Sequence, residues 1–149
     1  RGINQMWVKG WLVVFASLIL VFYAYYLFQI LRGQPERFEE ALLEELENIT
    51  SNEPVPVNFF IFLIGLALIL EGGYFVLSWI GINIVPYRIL TVLFIAFEIW
   101  HGVKLIPALK ALAGKTEFSS DLMDWRFERL SARFFAIHIL ITLGLVFTI

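Results

Sequence analysis

Four long, unbroken apolar runs leave this chain very few ways to fold. They extend from Trp7 to Leu31, Asn58 to Ile82, Pro86 to Ala113 and Leu130 to Ile149. Each meets the requirement of about 20 mostly apolar residues, at about 1.5 Å per residue, for a helix that crosses a bilayer. None alternates in twos as a barrel strand does, and only helices and closed barrels satisfy their backbone polar groups in lipid. Hydrophobic residues make up 60% of the chain, above the roughly 45–50% usual in soluble domains. The expected architecture is an all-α membrane protein, a single four-transmembrane-helix bundle over residues 1–149.

The first run is about 26 residues, against roughly 7 to 15 for a signal-peptide core, and no small-residue cleavage site follows it. It reads as a retained span. The chain opens on Arg1 and stops on Ile149 inside an apolar run, so residues missing at either end are expected. Absence of cysteine removes thiolate metal sites, iron–sulfur clusters and thiol nucleophiles. A net charge of -2 gives no reason to expect nucleic acid.

Short loops carry the orientation signal. Arg32 and Arg37 follow the first run, and Lys110, Lys115, Arg126, Arg129 and Arg133 cluster around the connection after the third; the opposite side has only Arg1, Lys9 and Arg88. The positive-inside rule then makes loops 32–57 and 114–129 cytoplasmic and puts both termini outside. Asn48-Ile49-Thr50 is a glycosylation sequon that argues the other way, but so short a motif arises often by chance. Trp7, Trp11, Trp79, Tyr87 and Trp125 lie near the span ends, where an aromatic belt is expected, and Tyr23, Tyr25 and Tyr26 are read in the same way.

Between the first two spans, residues 35–49 read as an amphipathic cytoplasmic loop helix. Pro35 suits a first turn, Glu36 and Glu39 complement the positive helix start, and Phe38, Leu42, Leu46 and Ile49 share a face. Its other face, Glu40, Glu44 and Glu47, is acidic. Anionic lipid repels such a face, so packing on the bundle's end or against a basic partner is expected. Pro54 and Pro56 read as a stiff linker, Gly81, Asn83 and Pro86 as the turn of an antiparallel hairpin, and Ser119, Ser120 and Asp121 as the start of the fourth helix. Gly33-Gln34-Pro35-Glu36-Arg37-Phe38 and Gly114-Lys115-Thr116-Glu117-Phe118 form a faint repeat.

Against this apolar background stand Glu71, Glu98, His101 and His138. Ionisable groups in a bilayer are costly and usually face a partner or a water-filled cavity. Glu71 lies about eleven residues before the turn and Glu98 about twelve after Pro86, so the hairpin brings them level. Counting from the helix ends puts His101 and His138 within about one turn of each other in height. Polar stripes recur at helical spacing: Ala67, Glu71, Tyr74 and Ser78; Arg88, Thr91, Ile95, Glu98 and His101; Ser131, His138 and Thr142. These are expected to turn inward, with Gly65, Gly72, Gly73, Ala132 and Ala136 allowing close helix approach.

Four chemistries fit the set. Glu71, Glu98, His101 and His138 can form a hydrogen-bonded network that fixes helix register. They can relay protons or ions across the bilayer middle, extended toward the cytoplasm by Lys104. Glu-x-x-His is also a bundle spacing for metal ligands, and the four would make a nitrogen and oxygen set for zinc, iron or manganese. Lastly, His101 and His138 could be the axial ligands of haem b. No Gly-rich phosphate loop follows a strand and no Gly-x-Ser-x-Gly elbow is present. A non-catalytic transporter or channel component, or a subunit of a larger membrane complex, is the leading expectation; a metal- or haem-binding redox protein is the alternative. The first span has few polar residues, which points to a homo-oligomer or to other membrane subunits as partners.

Overall fold

The computed structural model describes residues 2–52, 57–114 and 119–148. It contains helices α1 (Gly2–Leu31), α2 (Pro35–Asn52), α3 (Val57–Gly81), α4 (Val85–Leu112) and α5 (Trp125–Thr148), with a 3-10 turn at Ser120–Leu122 before α5. Four of them, over Asn4–Leu31, Phe62–Gly81, Val85–Leu112 and Trp125–Thr148, are long and apolar enough to cross a membrane. Pro54 and Pro56 of the expected linker, Lys115 to Phe118 of the repeat, and the side chains of Ile49 and Thr50 lie outside the described residues.

Local chemistry sets the helix ends. After Leu31 the chain reverses through Gly33 at φ 71°, with Gln34 N–H donating to Gln29 O and Gly33 N–H to Ile30 O. This is the Schellman pattern, in which a left-handed glycine lets the last carbonyls find donors. Ile84 is extended before α4, and Pro86 follows in the first turn, where a missing N–H costs nothing. The fourth long apolar helix begins at Trp125, not at Leu130. Its start is Asp124, whose carboxylate accepts from Arg126 N–H at 3.2 Å, and Ser119 makes no side-chain cap bond.

Around the bundle the order is α1, α3, α4, α5, with α1 and α4 on opposite corners. Neighbours run antiparallel. On α1 and α3, Phe15 meets Gly73 while Leu12 lies against Gly81; on α4 and α5, Thr91 meets His138 while Glu98 meets Ser131. Outward faces are apolar, with Val21, Phe22, Leu68, Ile69, Leu93, Ile99 and Leu140 all more than half exposed. The interior holds Tyr74, Ser78, Thr91, Ser131, His138 and Thr142 at 2% exposure or less. A protein that is polar within and apolar without is built the opposite way round from a water-soluble domain.

Of the small residues expected at close helix contacts, Ala132 is fully buried against Tyr26 and Ile30 of α1, and among the three glycines Gly73 is the one at a tight crossing. A Cβ there would lie 2.5 Å from Phe15 Cε1, whereas Gly65 and Gly72 have nothing within 4 Å. Gly73→Ala is accordingly expected to destabilise the bundle. Overpacking costs about 1–3 kcal/mol, more than the roughly 1 kcal/mol an alanine gains in helix propensity. Gly72→Ala should be neutral or stabilising. Unfolding of both variants in mixed micelles checks the contrast, and equal stability would mean that Phe15 swings aside freely.

Candidate functional site

Two polar layers, separated by a plug of phenyl rings, occupy the bundle interior. The first lies toward α2. His101 Nδ1 is 3.2 Å from Glu98 Oε2, and its Nε2 is 2.8 Å from Glu128 Oε1. Ser131 Oγ donates to the other Glu98 oxygen at 2.7 Å. A ring bridging two carboxylates is satisfied by an imidazolium with both N–H groups donating. Glu71 stands beside this group on α3, within electrostatic reach of Glu98 and His101, and the Tyr23 hydroxyl faces it. Three carboxylates thus gather around one imidazole.

His138 belongs to the second layer. Tyr74 Oη lies 2.7 Å from its Nδ1 and Thr91 Oγ1 3.0 Å from its Nε2. Tyr74 and Tyr87 hydroxyls both reach Thr142 Oγ1, at 2.8 and 2.7 Å. Thr91 donates its single proton to Tyr87 O at 2.9 Å, which leaves Nε2–H of the ring as donor to Thr91 and Nδ1 as acceptor from Tyr74. Thr142 meanwhile donates to His138 O at 2.7 Å. One neutral tautomer therefore satisfies both ring nitrogens with hydroxyls alone, and no carboxylate takes part.

The spacing between layers follows from the register. Thr91 and Glu98 are seven residues apart on α4, as are Ser131 and His138 on α5, which is about 10 Å along each axis. Phe94 and Phe135 fall within those intervals, with centroids 4.7 Å apart. Phe75 closes the group at 5.4 Å from Phe94 and 5.8 Å from Phe135, and Tyr23 stacks on Phe135 at 5.5 Å.

This geometry corrects the expected convergence of four side chains at one depth. His101 is level with Glu128 and His138 lies ten residues further along α5, about 15 Å away, not within one turn. One metal ion or haem iron, with bonds of about 2 Å, cannot reach both imidazoles. Among the described residues no group of three or more His, Asp or Glu has the arrangement to hold a metal ion. The error lies in counting from helix ends. α4 continues eleven residues past His101, whereas α5 begins only three residues before Glu128, so the two ends are not flush. Lys104 is exposed, its Nζ 5.8 Å from the Trp100 ring and 5.6 Å from Phe127.

A third cluster fastens α2 to the bundle. Arg129 Nε and Nη2 donate to the two oxygens of Glu39 at 2.6 Å each, and Nη2 also reaches Glu36 at 3.2 Å. Tyr26 Oη donates to Glu39 at 2.8 Å. Phe38 packs on Tyr26 and Tyr25 with centroids 4.7 and 5.8 Å apart. Glu39, expected to serve the helix start, is instead a buried partner of α5.

Several reassignments follow. Tyr26 and Tyr87 are buried at 6% and 3% exposure and are hydrogen-bonded, so neither belongs to an interfacial belt. Arg88 leaves its stripe: its guanidinium donates to Trp79 O and lies 4.9 Å over the Trp79 ring. Glu128 was not anticipated. The series Glu128, Ser131, Phe135, His138 and Thr142, at spacings of three and four, carries the polar stripe two residues before the expected helix start at Leu130 and would have revealed it.

The fold and site together define an antiparallel four-helix bundle, apolar outside, with stacked acidic and hydroxyl-rich layers within. No family model, curated protein or solved structure matches the chain.

Proposed function

We propose that this chain is a multi-pass integral membrane protein whose acidic centre handles protons or a cation as a component of a transporter or channel. The observation that carries the reading is the set Glu71, Glu98 and Glu128 around the single imidazole of His101, held within helices long and apolar enough to span a bilayer. Carboxylates at that depth are expensive to retain as mere packing, since apolar replacements of similar shape commonly stabilise. With a carboxylate on either side, the imidazole has acceptors for both of its protons and is suited to proton exchange. Insertion with both termini outside and loops 32–57 and 114–129 cytoplasmic belongs to the same proposal. So does assembly with further copies or other subunits, because one bundle this narrow encloses little room for a conduit.

Purified protein in proteoliposomes carrying a pH-sensitive dye tests the reading. Wild type is expected to pass protons faster than empty liposomes, and Glu98→Gln, which keeps the shape but removes the charge beside His101, should reduce that flux about tenfold or more. An unchanged rate in Glu98→Gln and Glu128→Gln, or a wild type no faster than lipid alone, would reject it.

A further inference from the structure

A groove of about 320 Å³ lies between α1 and α3 on the outer face of the bundle, walled by Ile19 and Phe22 on one side and Leu63 and Leu70 on the other. Its rim is apolar and open: Phe22 is 70% exposed and Leu63 42%. Its polar lining comes from Glu71 and Tyr23. Along α3 the stretch from Leu63 to Glu71 is about 12 Å long, so the groove is elongated, with the carboxylate set against hydrocarbon walls.

The charge around it is one-sided. Glu36, Glu39, Glu98 and Glu128 all have a cation in contact, shared between Arg129 and His101. Glu71 has the Tyr23 hydroxyl as its neighbour, and the nearest imidazole already bridges two other acids. A carboxylate beside lipid and, among the described residues, without a cation in contact favours a ligand that brings both a positive head and an apolar body.

We propose that this groove binds a lipophilic ammonium ion, a linear alkyl chain ending in a protonated amine, entering sideways from the bilayer with its N–H groups donating to Glu71. The alkyl chain replaces acyl chains along Ile19, Phe22, Leu63 and Leu70, and the Tyr23 hydroxyl accepts a further N–H. Because Glu71 belongs to the acidic centre, this rests on the cation-handling reading and names the substrate class that centre would serve. Ala67, which also lines the groove, sets its width, so a larger side chain there fills the space without altering charge.

The test is binding of tritiated decylammonium to the full chain in phosphatidylcholine nanodiscs, with empty nanodiscs as background. Saturable binding is expected, displaced by unlabelled amine and not by decanol. Glu71→Gln should weaken it about tenfold or more, and Ala67→Trp should remove the saturable part. Should Ala67→Trp fail to fold, the isosteric Glu71→Gln decides alone. Equal affinity in Glu71→Gln, or displacement by decanol as effective as by the amine, would overturn the proposal and leave the groove a resting place for any acyl chain. Proton flux on the same preparations separates the two readings. Glu98-dependent flux without saturable amine binding rejects the amine site alone, whereas Glu71-dependent amine binding without flux supports the site and rejects proton transport.

Discussion

Replacing Arg129 by alanine is expected to cost about 3 kcal/mol of stability, the lower end of what breaking a buried ion pair usually removes. Glu39 sets the size of the effect. Its side chain is 5% exposed and receives both guanidinium bonds, so losing the arginine leaves a buried carboxylate with only the Tyr26 hydroxyl. Arg129 itself is 29% exposed, and water entering the vacated space keeps the cost from being larger. Arg129→Lys should recover only part, because an ammonium cannot make the paired contact. Glu39→Met combined with Arg129→Met should be more stable than Arg129→Ala, since no charge is then stranded. Thermal unfolding in detergent, with proteolysis of α2 as a local readout, checks all three. A double variant no better than the single would show that packing, not charge, fastens α2.

The same contact carries a pH dependence. Burial pushes the Glu39 carboxyl up, but the Arg129 guanidinium and the Tyr26 hydroxyl outweigh it and hold the group below its ordinary value. A group whose folded value is depressed contributes stability above its unfolded value, about 4.3 for glutamate, and loses that contribution as the pH falls through the lower folded value. Docking of α2 is therefore expected to be intact at neutral pH and to weaken on strong acidification. In Arg129→Ala the sign reverses locally, because protonation relieves the stranded carboxylate, so the gap to wild type should narrow in acid. A gap that stays constant down to strong acid would contradict the assignment of Glu39.

What the sequence disclosed and what it hid divide along a physical line. Helices are written in runs of apolar residues, and the four long ones were legible with their main turn. So was the inward direction of Tyr74, Ser78, Thr91 and Thr142, because three- and four-residue spacing fixes a face whatever the neighbour does. The relative height of α4 and α5 was not legible. It depends on how far α4 overshoots α5, which is set by Phe94 seating against Phe135 and by Asp124 starting α5. Tyr87 shows the related limit: a tyrosine near a helix end reads as interfacial, yet a hydroxyl on the facing helix, here Thr142, draws it inside. Glu128 was hidden because a charged residue just before an apolar run looks like loop.

Phe135→Ala should be the most damaging single change in the interior, and it bears on function as well as stability. The ring is fully buried and touches Tyr23, Phe75 and Phe94, so truncation removes contacts on three sides and leaves a cavity, worth about 3–5 kcal/mol for phenylalanine in a packed site. The proposed lipid surroundings do not reduce this much, since the lost term is packing within the bundle and not exclusion from water. The cavity opens between Ser131 and Glu98 on one side and His138 and Thr91 on the other, polar groups that give water the partners it needs to enter. Hydration would join two layers that the phenyl plug now separates by about 10 Å. Proton flux through Phe135→Ala in proteoliposomes is thus expected to rise above wild type even as the protein melts earlier, and Phe135→Leu should melt closer to wild type and leak less. A destabilised variant with unchanged flux would mean that the plug supports the bundle without insulating its two halves.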